Sequence, residues 1–286
     1  MADTIVRAGS VAAPAGPAID PDPVAPPRAD QGRRKAFAVL RSVLVLGVLT
    51  ALWEVAPRAG WVDPSLIPPI SKVARAWWEL AQNGQLWDNT RASLLRAGAG
   101  FAVAVAVGVP LGIVIAWYRW VHQVLDPLLE VFRNTAPLAL LPVFTLLLGI
   151  GETSKTAIVV YACLFPVVLN TVSGVRDVDP LLVKSARSLG LSPLRLFQKV
   201  VLPSAVPAIF TGIRLAGAAS ILVLIAAEMV GAKAGLGYLI NYAQFNFMIP
   251  QMYAGILTIS AIGLLANTGL VRLERRFSRW RTDVRG

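Results

Sequence analysis

Residues 97–117 form an apolar run without one charged side chain, and residues 156–175 form a second. A helix needs about 20 apolar residues to cross the hydrocarbon core of a bilayer. In lipid, backbone N–H and C=O groups must be paired inside the segment, so a run of this length spans as a helix. These two runs restrict the chain to an all-α, membrane-embedded fold. Four weaker runs extend the pattern to six expected spans. Residues 37–56 carry Arg41 and Glu54 near their ends, and residues 128–150 contain Arg133, Pro137 and Pro142. Residues 206–230 contain Arg214 and Glu228, and residues 252–271 form the last run. Gly108, Gly112, Gly217 and Ala218 are small enough to let helices approach closely.

Composition agrees. Only 15% of the 286 residues are charged, against about 25% in a soluble domain. The formal net charge of +11 would suit nucleic acid. However, Lys and Arg gather at the ends of apolar runs rather than along one stripe, which excludes that partner. The single cysteine, Cys163, allows no internal disulfide. His122 is expected in a loop, and no His or Cys near it supplies metal-ligand spacing.

Residues 1–35 are rich in Ala, Pro and Asp and lack aromatic residues, so they read as a disordered tail. No apolar signal region precedes Phe37, and the first span serves as an uncleaved anchor. Residues 36–92 hold that span and an interfacial helix, in which Ser71 caps and Val73, Trp77 and Leu80 share a face near Trp78 and Trp87. Residues 93–272 form the core, and residues 273–286 a basic tail. Arg28, Arg33, Arg34 and Lys35 at one terminus, and Arg272, Arg275, Arg276, Arg279, Arg281 and Arg285 at the other, put both ends in the cytoplasm. Arg119, Arg176, Lys184, Arg187, Arg195 and Lys199 fall on the same side.

The basic connection at residues 177–203 is too well patterned for a simple tether. Asp179 caps a helix with Pro180 at its first position, and Leu182, Ala186 and Leu189 make its apolar stripe. Gly190 ends it with positive φ, and Ser192-Pro193 opens a second short helix whose apolar face is Leu194, Phe197, Val200 and Val201, before Leu202-Pro203. An ordinary amphipathic connector would share these features.

Ala186, Gly190 four residues on, then Val200 and Leu202-Pro203 resemble the EAA loop of permease subunits of ATP-binding-cassette importers. Lys184 stands where that pattern has Glu, and Ser185 where it has its first Ala. Residues 66–71 (LIPPIS), Ser93 to Arg96 with Gly100-Phe101, Arg133-Asn134 with Pro137 and Pro142, and Gly235 to Leu239 are similar to sulfonate, taurine and nitrate importer permeases. The resemblance implies a type I importer permease fold. Within it, Lys184, Ser185, Ala186, Gly190, Leu202 and Pro203 belong to a cytoplasmic coupling helix that docks on an ATP-binding subunit. The implied partners are that subunit, an external solute-binding protein, a second permease copy and membrane lipid, in a bacterial inner membrane. ATP and Mg would be bound by the partner, leaving this chain without a cofactor. Aliphatic sulfonate ranks first as cargo, with taurine or nitrate next.

Charges inside spans face a bundle interior or a cavity, or snorkel toward an interface. Arg133, Asn134, Arg214 and Glu228 are the candidates for a translocation path. Fourteen residues separate Arg214 from Glu228, roughly 21 Å along a helix, too far for them to pair. Two competing functions are weaker. A secondary transporter is expected to show an inverted repeat, and none is evident. An intramembrane enzyme needs a nucleophile with its base or a metal set, and neither occurs at helical spacing. The chain has no Gly-rich phosphate loop with Lys-Ser/Thr, so ATP hydrolysis is not expected of it.

Overall fold

The computed structural model describes residues 28–277; of the tails expected at 1–35 and 273–286, residues 1–27 and 278–286 lie outside the described residues. The chain divides into one unit up to Leu52 and a second from Trp53 onward. Helix α1, Arg28–Arg58, begins inside the segment expected to be disordered. Its described apolar side chains in the first unit, from Phe37 to Leu52, are exposed.

In the second unit, α2 (Ile70–Gln82) buries Val73, Ala76 and Leu80. Ser71 is not its cap: Pro69 holds that position without a side-chain bond. Instead Glu54 reaches across from the last turns of α1 and accepts the Ser71 N–H at 3.0 Å. Trp77, expected on the buried face, is partly exposed and donates its indole N–H to Thr258 at 3.0 Å.

The core follows as α3 (Gln85–Trp117), α4 (Arg119–Asn134), α5 (Leu141–Leu148) and α6 (Glu152–Arg176). After it come α7 (Pro180–Ser188), α8 (Pro193–Leu196), α9 (Leu202–Glu228), α10 (Leu236–Phe245) and α11 (Ile249–Phe277). Among the described residues, α3, α6, α11 and the helix from Pro193 to Glu228 are each long and apolar enough to span. A fifth span is formed if α4 and α5 count as one, against the six expected. The expected first span lies within α1, some of whose side chains are not described.

The expected third span is broken, with a 90° bend between its halves. Proline explains the break. Pro137 has no N–H to give and forces Ala136 into an extended conformation (φ −66°, ψ 120°). Helix α4 therefore ends at Asn134, and a short 3-10 turn, Pro137–Leu140, leads into α5. The carbonyls left over in the last turn of α4 are taken locally: Asn134 donates to Glu130 O and Thr135 to Val131 O. His122 lies inside α4 rather than in a loop, 3.8 Å from Asp126.

Helices α3, α6 and α9 form the tightest packing. A Cβ at Gly108 would stand 2.9 Å from the Val167 side chain, and one at Gly112 would stand 2.7 Å from that of Thr171. The two backbones therefore meet at glycine, as expected of small residues between membrane helices. On the other side of α6, Ala205 and Ile209 of α9 join Val175 in a buried cluster. Gly217 instead faces Leu270 of α11, while Ala218 is exposed.

Candidate functional site

Two structured regions lie at opposite ends of α6. The first follows its C-terminus. Asp179 accepts the Leu181 N–H at 2.8 Å and caps α7, with Pro180 at the first helical position. The far end is closed by a left-handed residue, Gly190 (φ +72°). Gly190 N–H reaches Arg187 O at 2.9 Å, and Leu191 N–H reaches back to Ala186 O at 3.2 Å. This double closure pairs the last carbonyls and turns the chain sharply.

The expected stripe on α7 is only partly inward. Ala186 is buried against Val175, Val178 and Leu196, but Leu182 and Leu189 point outward. With Leu181 and Leu194 they leave four leucines exposed around the bend, Leu189 at 80%. Lys184, Ser185 and Arg187 are exposed beside them.

The second short helix does not stop before Leu202-Pro203. It continues from Pro193 through a π-helical segment, Phe197–Val201, into α9. Pro203 can neither donate to the preceding turn nor fit its ring under a regular carbonyl ladder, and the wider π turn accommodates both defects. Leu196 and Val201 pack inward.

The second region lies where α6 begins. Arg96 of α3 is buried, with 7% of its side chain exposed. Its Nη1 donates to Glu228 Oε1 at 2.6 Å and to Ala234 O at 2.7 Å. The other edge of the guanidinium grips Glu152: Nη2 donates to Oε1 at 2.6 Å, and Nε donates to Oε2. Glu228 also accepts Ser93 Oγ–H at 2.7 Å and Gly237 N–H at 3.0 Å. Ser93 Oγ in turn accepts Leu236 N–H, and Asn89 Oδ1 accepts Gly235 N–H, each at 2.8 Å.

Side chains of α3 and α9 thus bind four consecutive residues, Ala234 to Gly237, and cap α10. The Gly-Leu-Gly sequence follows from that grip. Gly235 (φ +120°) lies against the Glu228 carboxylate, and Gly237 lies against Ile225 O, where no Cβ would fit. Lys155, also buried, donates to Gly151 O at 3.2 Å.

The four expected path residues do not converge. Arg133 donates to Glu130 at 2.8 Å on its own helix, beside Asn134 at the α4 break. Arg214 pairs with Glu274 of α11 at 3.1 Å. Glu228, rather than snorkelling, is fully buried in the cluster around Arg96.

Residues 108–279 match the family described as binding-protein-dependent transport system inner membrane component. The chain is 32% identical over 253 residues to a putative aliphatic sulfonates transport permease protein of Bacillus subtilis, covering 88% of this chain and 92% of that one. It is 33% identical over 251 residues to the taurine transport system permease protein of Escherichia coli, covering 86% and 91%. The chain belongs to this family of importer permeases. A nitrate import permease protein of Synechocystis is 30% identical over 246 residues, covering 82% of this permease and 88% of its own length. Among solved structures, an inward-facing methionine ABC transporter matches with a TM-score of 0.59 at 17% identity, over 70% of this permease and 96% of that chain. That likeness establishes the fold alone.

Sequence reading of the permease left Arg96, Glu152 and Lys155 outside the candidate site. Arg96 and Lys155 stand immediately before the apolar runs 97–117 and 156–175, where an interfacial position is the default. The signal that marks them is mutual: Arg96 is one charge too deep on α3, Glu228 another on α9, and a buried charge requires a partner.

Proposed function

We propose that this permease carries a small oxyanion, an aliphatic sulfonate before taurine or nitrate, across the inner membrane in an importer powered by a separate ATP-binding subunit. The observation that carries the coupling assignment is the closed bend at Gly190, which holds Leu181, Leu182, Leu189 and Leu194 exposed around one basic turn. Exposed leucines on a short, rigidly capped helix suit a cleft on a cytoplasmic partner. Lys184 and Ser185 face outward with them, Ala186 anchors the turn from within, and Leu202-Pro203 joins it to α9.

The assembly is two permease copies, two ATP-binding subunits that bind ATP and Mg, and one external solute-binding protein. Both termini and residues 177–203 lie in the cytoplasm, and residues 231–250 lie outside. The path runs past the broken span, where Arg133 and Asn134 stand at a non-helical segment. Irregular backbone at membrane depth is tolerated where it is buried in protein or lines a water-filled cavity. Arg214 contributes at that path or through its pair with Glu274. Glu228 acts by holding α10. The relatives named for sulfonate, taurine and nitrate support the cargo class.

The test is co-purification with the ATP-binding subunit in mild detergent, then reconstitution in lipid with the solute-binding protein. ATP hydrolysis should rise with an aliphatic sulfonate, taurine or nitrate. Failure of an ATP-binding subunit to co-purify, or hydrolysis indifferent to all three anions, refutes the proposal.

A further inference from the structure

The edge of Arg96 that grips Glu152 has an unusual imbalance of burial. Arg96 is 7% exposed and Glu152 is 70% exposed. The described hydrogen bonds of the Glu152 carboxylate all come from Arg96. On the opposite edge, Glu228 is fully buried and is held by Ser93, Gly237 and Arg96 together. One carboxylate is therefore built in, while the other is an exposed group resting on a buried guanidinium.

We propose that the outer edge of Arg96 is an oxyanion site, in which a small sulfonate or nitrate exchanges with the Glu152 carboxylate. This rests on the oxyanion reading of the permease. The two parallel N–H donors of that edge match any planar or tetrahedral pair of oxygens, as a carboxylate, nitrate or sulfonate presents. Exchange of one monoanion for another leaves the charge of the cluster unchanged, because Arg96 keeps Glu228 and Lys155 stays beside Gly151. The departing carboxylate is 70% exposed, and the anion that replaces it keeps the buried guanidinium paired. Glu152 opens α6, a helix of 25 residues, so the positive end of the helix dipole adds to the attraction at the same place. A sulfonate or nitrate is a weaker base than a carboxylate. It is held more loosely than Glu152, which returns to release it, and a transport pathway needs sites that bind weakly enough to let go.

Residues 149–151, which lead into the site, include two glycines and carry no side chain larger than that of Ile150. Ile150 itself is exposed.

The experiment uses the full permease with its ATP-binding subunit in lipid nanodiscs, comparing the parent with Glu152→Ala and Glu152→Gln. Thermal unfolding is followed in sodium methanesulfonate, sodium nitrate and sodium chloride at equal ionic strength. Loss of the carboxylate should lower the midpoint by about 2–4 °C. Methanesulfonate and nitrate should recover most of that loss in Glu152→Ala, and less in Glu152→Gln, whose amide still occupies the edge. In the parent, where Glu152 competes for the edge, the difference between the three salts should be smaller than in Glu152→Ala. Equal responses of parent and Glu152→Ala to methanesulfonate, or recovery by chloride as large as by methanesulfonate, would make Arg96–Glu152 a structural ion pair only. Substrate-stimulated hydrolysis by the parent complex, measured after the solute-binding protein is added to the same preparation, separates the two readings. If stimulation persists without anion recovery, the site falls and the importer stands. If stimulation is absent, the importer reading falls whatever the variants do.

Discussion

Replacing Gly190 with Val tests whether the bend after α7 couples the membrane helices to the ATP-binding subunit. The backbone at this position has φ +72°, and a Cβ built there would meet nothing within 4 Å. Any penalty is therefore conformational, free of steric clash with neighbouring groups. For an L-residue the left-handed conformation costs about 1–2 kcal/mol, with β-branched side chains at the upper end. Two hydrogen bonds oppose that strain, Gly190 to Arg187 and Leu191 to Ala186. Each is worth about 0.5–1.5 kcal/mol net. The strain is thus of the same size as one of them, enough to shift the bent loop by about 5–30-fold while leaving α3, α6 and α9 untouched. A graded series follows: Asn tolerates positive φ best after Gly, Ala less and Val least. In purified complex with the solute-binding protein, substrate-stimulated ATP hydrolysis should fall in the order Gly, Asn, Ala, Val. Ser192→Ala, which alters an exposed side chain making no cap hydrogen bond, is the control. Parent-level hydrolysis and parent-level binding of the ATP-binding subunit in Gly190→Val would refute the coupling assignment.

A Cβ at residue 237 would collide with the Ile225 carbonyl. Gly237→Ala should therefore destabilise by about 1–3 kcal/mol, read as a lower unfolding midpoint, and an unchanged midpoint would contradict the packing described for α10. Arg214→Gln should lower uptake at matched expression. If the cause is the orphaned Glu274, the double variant with Glu274→Gln recovers uptake, whereas a direct role in attracting the anion leaves the double variant impaired. With Cys163 replaced by Ala, a single cysteine at Asn246 should react with an impermeant thiol reagent on intact cells and one at Ser192 should not. The reverse pattern would invert the orientation.

The helical, membrane-embedded class was legible because a charge-free run of this length has no other stable fold in lipid. The cap at Asp179, the turn at Gly190 and the Gly108 and Gly112 contacts were legible for a related reason: each depends on residues close in sequence or on side-chain size alone. The break after Asn134 was half visible. Pro137 and Pro142 stood in the run, but a proline signals a kink without giving its angle, and the 90° bend depends on how α5 packs against α6 and α9. Ser71 failed as a cap because the helix starts one residue before it, at Ile70, and Glu54, seventeen residues earlier, accepts the Ser71 N–H. The cluster at Arg96 depends on separations of 56 and 132 residues, to Glu152 and Glu228. No local pattern encodes such a meeting. Leu182 and Leu189 show a different limit, since periodicity finds an apolar face but does not say whether the chain or a partner covers it.

The glycine contacts between α3 and α6 also determine how force can travel. Two helices touching at backbone distance cannot slide without driving Val167 or Thr171 into the opposite main chain, so the pair behaves as one strut. Helix α6 has 25 residues, which at 1.5 Å per residue makes a lever about 37 Å long. A tilt of about 10° imposed at the Gly190 end would sweep the Glu152 end through about 6 Å as a rigid-body rotation. Transmission of that kind needs no relay of side-chain rearrangements along the way. The Arg96 cluster and the helix it caps, α10, would then travel together at the tip of the lever, opposite the end where the push is applied.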